Sequence, residues 1–336
     1  MSRERCVVVG AGGISNAWFP PLAKEKVEVL AVVDLRPEAA KAQVEKYQLK
    51  AEVSTDLEAT LAKHQPDFVV DLTVPEAHCA VTCTALRAGC HVIGEKPMAS
   101  SMAEARQMVK AAEETGKLYM VSQSRRWDAK HVAVKKTVPR VGTLTTVNCD
   151  FYIGAHFGGF RDEMPSPLIL DMSIHHFDLC RFMTGVDPVA VYCKEFNPKG
   201  SWYKGDVAAS AIFEMSNGVI FTYRGSWCAE GCHTSWNGDW RFIGTKGTLL
   251  YEGDQEPRGE VVVGKEGFHR EKAPLKVAKP VVKFGGMHGA LREMLAFLRT
   301  GVAPQTECHD NIKSLAMVFA AIESNKQGRR VPVRVM

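Results

Sequence analysis

A run of strand-forming residues, Cys6-Val7-Val8-Val9, passes directly into Gly10-Ala11-Gly12-Gly13-Ile14-Ser15, and few folds accept that order. The apolar run reads as a buried strand, and the stretch beyond Ser15 reads as a helix. A glycine at the strand exit permits a tight turn. A second lets an anionic group approach the backbone at the helix N-terminus, where unpaired N–H groups and the helix dipole favour negative charge. Ser15 stands where a third glycine or an alanine is usual, a small residue where helix and strand pack closely. Asp34 closes the next strand-like run, about 20 residues on, where a carboxylate accepts from the ribose hydroxyls of a dinucleotide. Gly10, Gly12, Gly13, Ile14, Ser15 and Asp34 are therefore the first candidate cofactor residues. Asp34 favours NAD, because a carboxylate repels a 2′-phosphate. Arg36 can instead receive that phosphate, which leaves NADP open.

The first part of the chain continues the same rhythm. Short β-rich runs at 6–9, 27–33, 68–72, 91–93 and 118–121 alternate with helix-like stretches at 14–24, 37–47, 57–64, 76–88 and 102–115. Strands without polar alternation, each followed by a helix, predict a parallel sheet buried on both faces. Gly89 and Gly116 stand where helix terminators belong. After Trp127 the runs lengthen and alternate, at 144–153, 189–196, 207–215, 219–227 and 248–251, and Asn217-Gly218 is a hairpin turn signal. The expected architecture is α/β: an N-terminal Rossmann, doubly wound parallel sheet over 1–124, then a C-terminal α+β domain over 125–336. The second domain is expected to carry a large, mostly antiparallel sheet. Two closing helices, at 287–300 and 311–326, are expected to pack back on the first domain or stay with the second.

Composition narrows the function classes. The 336 residues carry 42 basic and 38 acidic side chains, a net charge of +4. That excess is too small for a nucleic-acid binder, and the lysine-rich stretch 265–283 reads as a solvated loop. The ten cysteines show no Cys-x-x-Cys pair and lie mostly in apolar runs, as expected of reduced thiols in a cytoplasmic protein. No apolar run approaches a membrane span.

Asp71 ends another strand-like run, so Thr73 and Pro75 are placed as cofactor neighbours, with His78 opening the helix beyond. Glu95-Lys96-Pro97 ends the next run at the same edge of the sheet. In the segment Asp171-Met172-Ser173-Ile174-His175-His176-Phe177-Asp178, α-helical spacing puts Asp171, His175 and Asp178 on one stripe of an otherwise apolar helix over 167–183. A polar stripe on a buried helix is costly unless it is paired or functional. A core hydrogen-bond network and a His/Asp metal site are the alternatives; no further ligand cluster is evident, so no metal is expected.

These pieces together, GAGGIS, Asp34, Asp71–Pro75 with His78, GEKPMA at 94–99, DMSIHHFD at 171–178 and GTKGTL at 244–249, resemble the Gfo/Idh/MocA family of glucose–fructose oxidoreductases and inositol dehydrogenases over nearly the whole chain. The resemblance implies that Lys96, Asp171 and His175 are the catalytic set. His175 would be the acid/base at a reacting hydroxyl, Asp171 would orient it and Lys96 would hold or relay the proton. It further implies NAD(P)-dependent hydride transfer at a secondary alcohol of a sugar or cyclitol, with Glu95 and Lys96 beside the cofactor and Asp178 and Arg126 at the substrate. A homodimer or homotetramer through the second sheet is also implied. Arg125, Trp127, His156, Arg161, Trp202, Trp227 and Trp236 supply further polar and aromatic groups for a polyhydroxylated ring; of these His156, Arg161 and Trp236 are the selected candidates. Two other functions stay open: a glycosidase that oxidises its substrate transiently with bound NAD, and a non-catalytic nucleotide sensor.

Overall fold

The computed structural model describes residues 3–335, and Met1, Ser2 and Met336 of the expected domain ranges lie outside them. The chain forms two compact units: residues up to Ser124 with Phe284–Leu315, and Arg125–Lys283 with Ala316–Arg334.

The first unit is built on six parallel strands: β1 (Arg5–Val9), β2 (Glu28–Val33), β3 (Glu52–Ser54), β4 (Phe68–Asp71), β5 (His91–Gly94) and β6 (Tyr119–Val121). Their order is β3-β2-β1-β4-β5-β6, so the winding reverses between β1 and β4. Val7, Val8, Val69, Val70, Val92 and Ile93 are wholly buried, which is why these strands read as unbroken apolar runs. Helices Ser15–Lys24, Pro37–Lys46, Leu57–His64, Pro75–Arg87 and Met102–Thr115 connect them. The Ser101 side chain caps the last of these by accepting from the Glu104 N–H, and Gly116 ends it at φ 62°. The helix Gly286–Thr300 joins this unit from far along the chain. Its His288 and Arg292 bond Glu25, and its Arg299 bonds Glu4.

The second unit carries nine strands: β7 (Leu144–Tyr152), β8 (Pro188–Phe196), β9 (Ala208–Met215), β10 (Ile220–Ser226), β11 (Asp239–Gly244), β12 (Gly247–Glu252), β13 (Arg258–Val262), β14 (Lys272–Pro274) and β15 (Val331–Pro332). The order is β14-β13-β12-β11-β7-β10-β9-β8-β15. Every pairing is antiparallel except β7 with β10. Asn217 and Gly218 both take positive φ, 63° and 74°, and close the β9–β10 hairpin as their sequence signals. One face of the sheet is covered by the helix Ile174–Thr184, whose Phe177 ring lies 4.8 Å from Phe213 and 5.3 Å from Tyr223. Burying such a ring contributes about 1.5–3 kcal/mol.

Beyond the strands β13 and β15 and the helix Ala129–Thr137, which no sequence run announces, three local features differ from the sequence expectation. The segment expected as one α-helix over 167–183 begins with a π-helical stretch, Leu168–Ser173, and turns α-helical only at Ile174. Apolar periodicity does not distinguish the two, because both bury the same side chains. The lysine-rich stretch contains the edge strand β14, paired with β13. The short strand β3, flanked by exposed residues, escapes a reading based on apolar runs.

Candidate functional site

In the first unit the glycine turn leaves β1 where the sheet order reverses. Gly10 has φ 95°, and a Cβ there would lie 2.6 Å from the Leu72 carbonyl oxygen, so no other residue fits between the ends of β1 and β4. A Cβ on Gly12 or Gly13 would meet nothing within 4 Å. The space beside the helix N-terminus is therefore open for a pyrophosphate to lie against the backbone, and the residues present fit a dinucleotide. Ser15 is buried, and its hydroxyl donates to the Gly12 carbonyl at 2.7 Å. Asp34 accepts from the Ala11 N–H at 2.8 Å and from the Arg36 N–H at 2.9 Å, which fixes the carboxylate beside the turn. The Arg36 guanidinium stands 3.6 Å from Asp34, and its side chain is two-thirds exposed.

At the ends of β4 and β5, polar residues are tied down from below. Asp71 is fully buried and accepts from the Thr73 N–H and hydroxyl at 3.1 and 2.6 Å; burial pushes its carboxyl up. Pro75 opens the next helix. His78, three residues into that helix, is buried rather than solvated, with its ring nitrogens 3.0 Å from the Pro97 and Thr73 carbonyls. Glu95 is also buried. It accepts from Trp18 Nε1 at 2.8 Å and from the Lys96 N–H at 3.3 Å, and burial raises its carboxyl. The Lys96–Pro97 peptide is cis, and Lys96 is half-buried.

In the second unit the π-helical stretch carries Asp171, and His175 follows in the first α-helical turn; both are half-buried. Ser173 Oγ donates to the Leu168 carbonyl at 3.1 Å and lies 3.0 Å from the Tyr223 hydroxyl, which pins the stretch to β10. The preceding loop lies against Gly205, where a Cβ would fall 2.1 Å from the Met164 carbonyl oxygen. Arg161 donates from Nε to Asp171 Oδ2 at 2.6 Å, and its guanidinium stacks over Phe157 and Phe160.

The remaining candidates separate. The family resemblance implies Arg126 and Asp178 at the substrate; the structure pairs them with each other. Nε and Nη2 of Arg126 donate to the two Asp178 oxygens at 2.8 and 2.5 Å, with side chains 5% and 2% exposed. The reason is geometric: Asp178 lies on the covered face of its helix, where a carboxylate needs a cation. His156 stacks on Trp202 with centroids 3.7 Å apart and bonds Glu230 at 2.7 Å. Trp236 is 46% exposed and packs near Phe151 and Phe157. His176, adjacent to His175, is wholly buried; burial first, then the Arg125 charge, hold it well below the usual imidazole range. Trp18, which holds Glu95, and Arg125, which reaches the Trp236 carbonyl, are not singled out by sequence reasoning. Neither position has a local signal for its partner, which lies more than 70 residues away.

All ten cysteines are free thiols. Among the described residues Glu307, Cys308 and His309 bring donor atoms within 4.8 Å of one another. Glu307 there caps the helix Cys308–Gln327 through the His309 and Asp310 N–H groups, and His309 bonds Glu307 and Glu113. No helix among the described residues is long and apolar enough to cross a membrane.

Comparison with known proteins accounts for both units. Residues 4–123 match the oxidoreductase-family NAD-binding Rossmann fold, and residues 102–250 match the GFO/IDH/MocA C-terminal domain. The D-apiose dehydrogenase of Paraburkholderia graminis is 26% identical, covering 99% of this chain and 91% of its own. The inositol 2-dehydrogenase of Rhizobium meliloti is 25% identical, covering 97% and 98%. An oxidoreductase from Agrobacterium radiobacter, solved with NAD+, L-tartaric acid and magnesium, superposes with a TM-score of 0.86 at 22% identity, over 99% of both chains. The chain belongs to the GFO/IDH/MocA oxidoreductase family and carries that family's NAD(P)-binding Rossmann domain.

Proposed function

We propose that the protein is a cytoplasmic dehydrogenase, NAD-preferring, that transfers hydride at a secondary alcohol or ketone of a sugar, sugar derivative or cyclitol. The observation that carries this reading is the junction of the π-helical and α-helical stretches. It presents an aspartate held by an arginine, followed one turn later by a half-buried imidazole. That pairing of groups serves proton transfer at a hydroxyl. The distant relatives named for D-apiose and inositol support a polyhydroxylated substrate. Asp34 supports NAD, because its carboxylate, fixed by two backbone N–H groups, stands where a 2′-phosphate would be repelled.

When bound, the nicotinamide supplies the hydride acceptor. In the oxidation direction His175 takes the hydroxyl proton at an imidazole nitrogen as the carbinol C–H bond breaks and the C=O bond forms. Asp171, held by Arg161, fixes the orientation of this helix turn, and Lys96 holds the substrate oxygen or relays its proton. In reduction the same groups return the proton. The Arg126–Asp178 pair keeps the helix that carries His175 in register. His156 with Trp202, and Trp236, offer stacking surface for a sugar ring. Side chains such as Tyr192 and Ile212, opposite each other on the β8–β9 pair and both nearly half exposed, support a homo-oligomer formed through the second sheet.

The test is absorbance at 340 nm with NAD and NADP against inositols, aldoses, uronates and glycosides, with products identified by mass spectrometry. NADH formation with a polyol or sugar is expected. Glycoside cleavage without net NADH would transfer the case to redox-assisted hydrolysis, and tight cofactor binding with no turnover would point to a sensor. Lys96→Ala is expected to lower kcat about 10²–10⁴-fold with NAD binding nearly unchanged; full activity in that variant removes Lys96 from the mechanism.

A further inference from the structure

We infer that the substrate carries a single carboxylate and that Arg125 recognises it. The inference rests on the dehydrogenase reading and narrows its substrate class. The pairing of those second-unit arginines that are buried or half-buried carries it. Arg126 is matched with Asp178, Arg161 with Asp171 and Arg181 with Asp187. Arg125 departs from the pattern. Its Nη1 donates to the Trp236 carbonyl and its Nη2 lies 3.9 Å from the Met172 sulfur, and no described carboxylate lies within ion-pair distance of it. Around it stand the Cys149 thiol and the Tyr251 and Tyr223 phenols, whose pKa values burial raises, and Asp128 is the carboxylate among these four influences. Burial lowers the pKa values of both His131 and His176, and the guanidinium charge lowers them further.

The guanidinium is half-buried, and one carbonyl and one thioether take up only part of its five-donor fork, so donors remain open to an incoming anion. An anion arriving with the substrate can take those donors in charge-assisted hydrogen bonds. The place is suitable. Met172 belongs to the π-helical stretch that carries Asp171, and Trp236, whose carbonyl anchors the other side of the guanidinium, has a ring exposed to solvent. The fork matches a carboxylate in bidentate geometry. A phosphate dianion would call for a second cation, and the neighbouring arginines already have carboxylates. Burial draws the Arg125 pKa down to about 10, so the group remains a cation at neutral pH.

The experiment compares matched pairs, uronates with their aldoses and aldonates with their alditols, by kcat/KM in the wild-type enzyme, Arg125→Gln and Arg125→Lys. Binding of the same acids is followed in parallel by thermal shift with NAD present. The wild type is expected to prefer the acid of a pair by about 100-fold, from one charge-assisted bidentate contact. Arg125→Gln should reduce that ratio to near unity, and Arg125→Lys should recover part of it; a folding defect would lower both members of a pair alike. Equal or better turnover of the neutral member, or an acid preference that survives Arg125→Gln, overturns the inference while leaving the dehydrogenase in place. Acid-dependent stabilisation that Arg125→Gln abolishes, with no turnover of any pair, supports the carboxylate site and removes the dehydrogenase. Neither turnover nor acid binding removes both.

Discussion

Asp178 shows how a single side chain can be legible in type and illegible in role. Its position in the DMSIHHFD motif marks it as polar on a buried helix, and helix spacing associates it with Asp171 and His175. What spacing cannot supply is the partner 52 residues earlier that takes both of its oxygens. The pair makes a clear prediction. Removing one member leaves the other charged and buried, so Asp178→Ala should cost about 3–5 kcal/mol of stability. Replacing Asp178 with Leu and Arg126 with Met together should recover most of that loss. Chemical denaturation of the two variants and the wild type checks it; an Asp178→Ala protein as stable as the wild type would make Asp178 a ligand contact instead. The glycines and the strand-end candidates were legible for the opposite reason, while the catalytic roles of Lys96, Asp171 and His175 rest on the family resemblance. Gly10, Asp34 and the Glu95-Lys96-Pro97 turn sit at strand ends, where local chain geometry alone dictates which residue types are tolerated.

At the scale of elements, the parallel strands and the Asn217-Gly218 hairpin could be read directly, because buried β runs and positive-φ turns have strong local signatures. The π-helical stretch could not, since its apolar residues also satisfy α periodicity. The loop before it carries a titrating contact. Ser166 donates to Glu195 Oε2 at 3.3 Å, and burial raises the Glu195 carboxyl to about 7. An acid whose folded pKa lies above its unfolded value binds more protons when folded, so the fold loses stability as pH rises from about 4.5 toward 7. Glu195→Gln removes this dependence. The variant should match the wild type near pH 4.5 and exceed it at pH 8, by at most about 3 kcal/mol. Thermal unfolding across that range decides it, and parallel curves at all pH values would mean that Glu195 does not titrate in the window.

At the scale of the whole molecule, the second sheet leaves Tyr192, Phe196, Ile212 and Ile220 partly exposed on its outer face. Covering them with another copy would bury apolar surface that water otherwise meets. Ile212→Lys, or Tyr192→Lys, should shift the protein toward monomer in analytical ultracentrifugation; an unchanged sedimentation coefficient for both would assign assembly to another surface. The first unit has a different whole-chain property. Its helix Gly286–Thr300, bonded to Glu4 and Glu25, is encoded well over two hundred residues after the strand it supports. During synthesis from the N-terminus the glycine turn therefore emerges long before these supports exist. The cofactor-binding half of the protein reaches its final contacts only after residues 286–300 have been translated, and a gene truncated at residue 124 specifies a Rossmann sheet lacking one of its own helices.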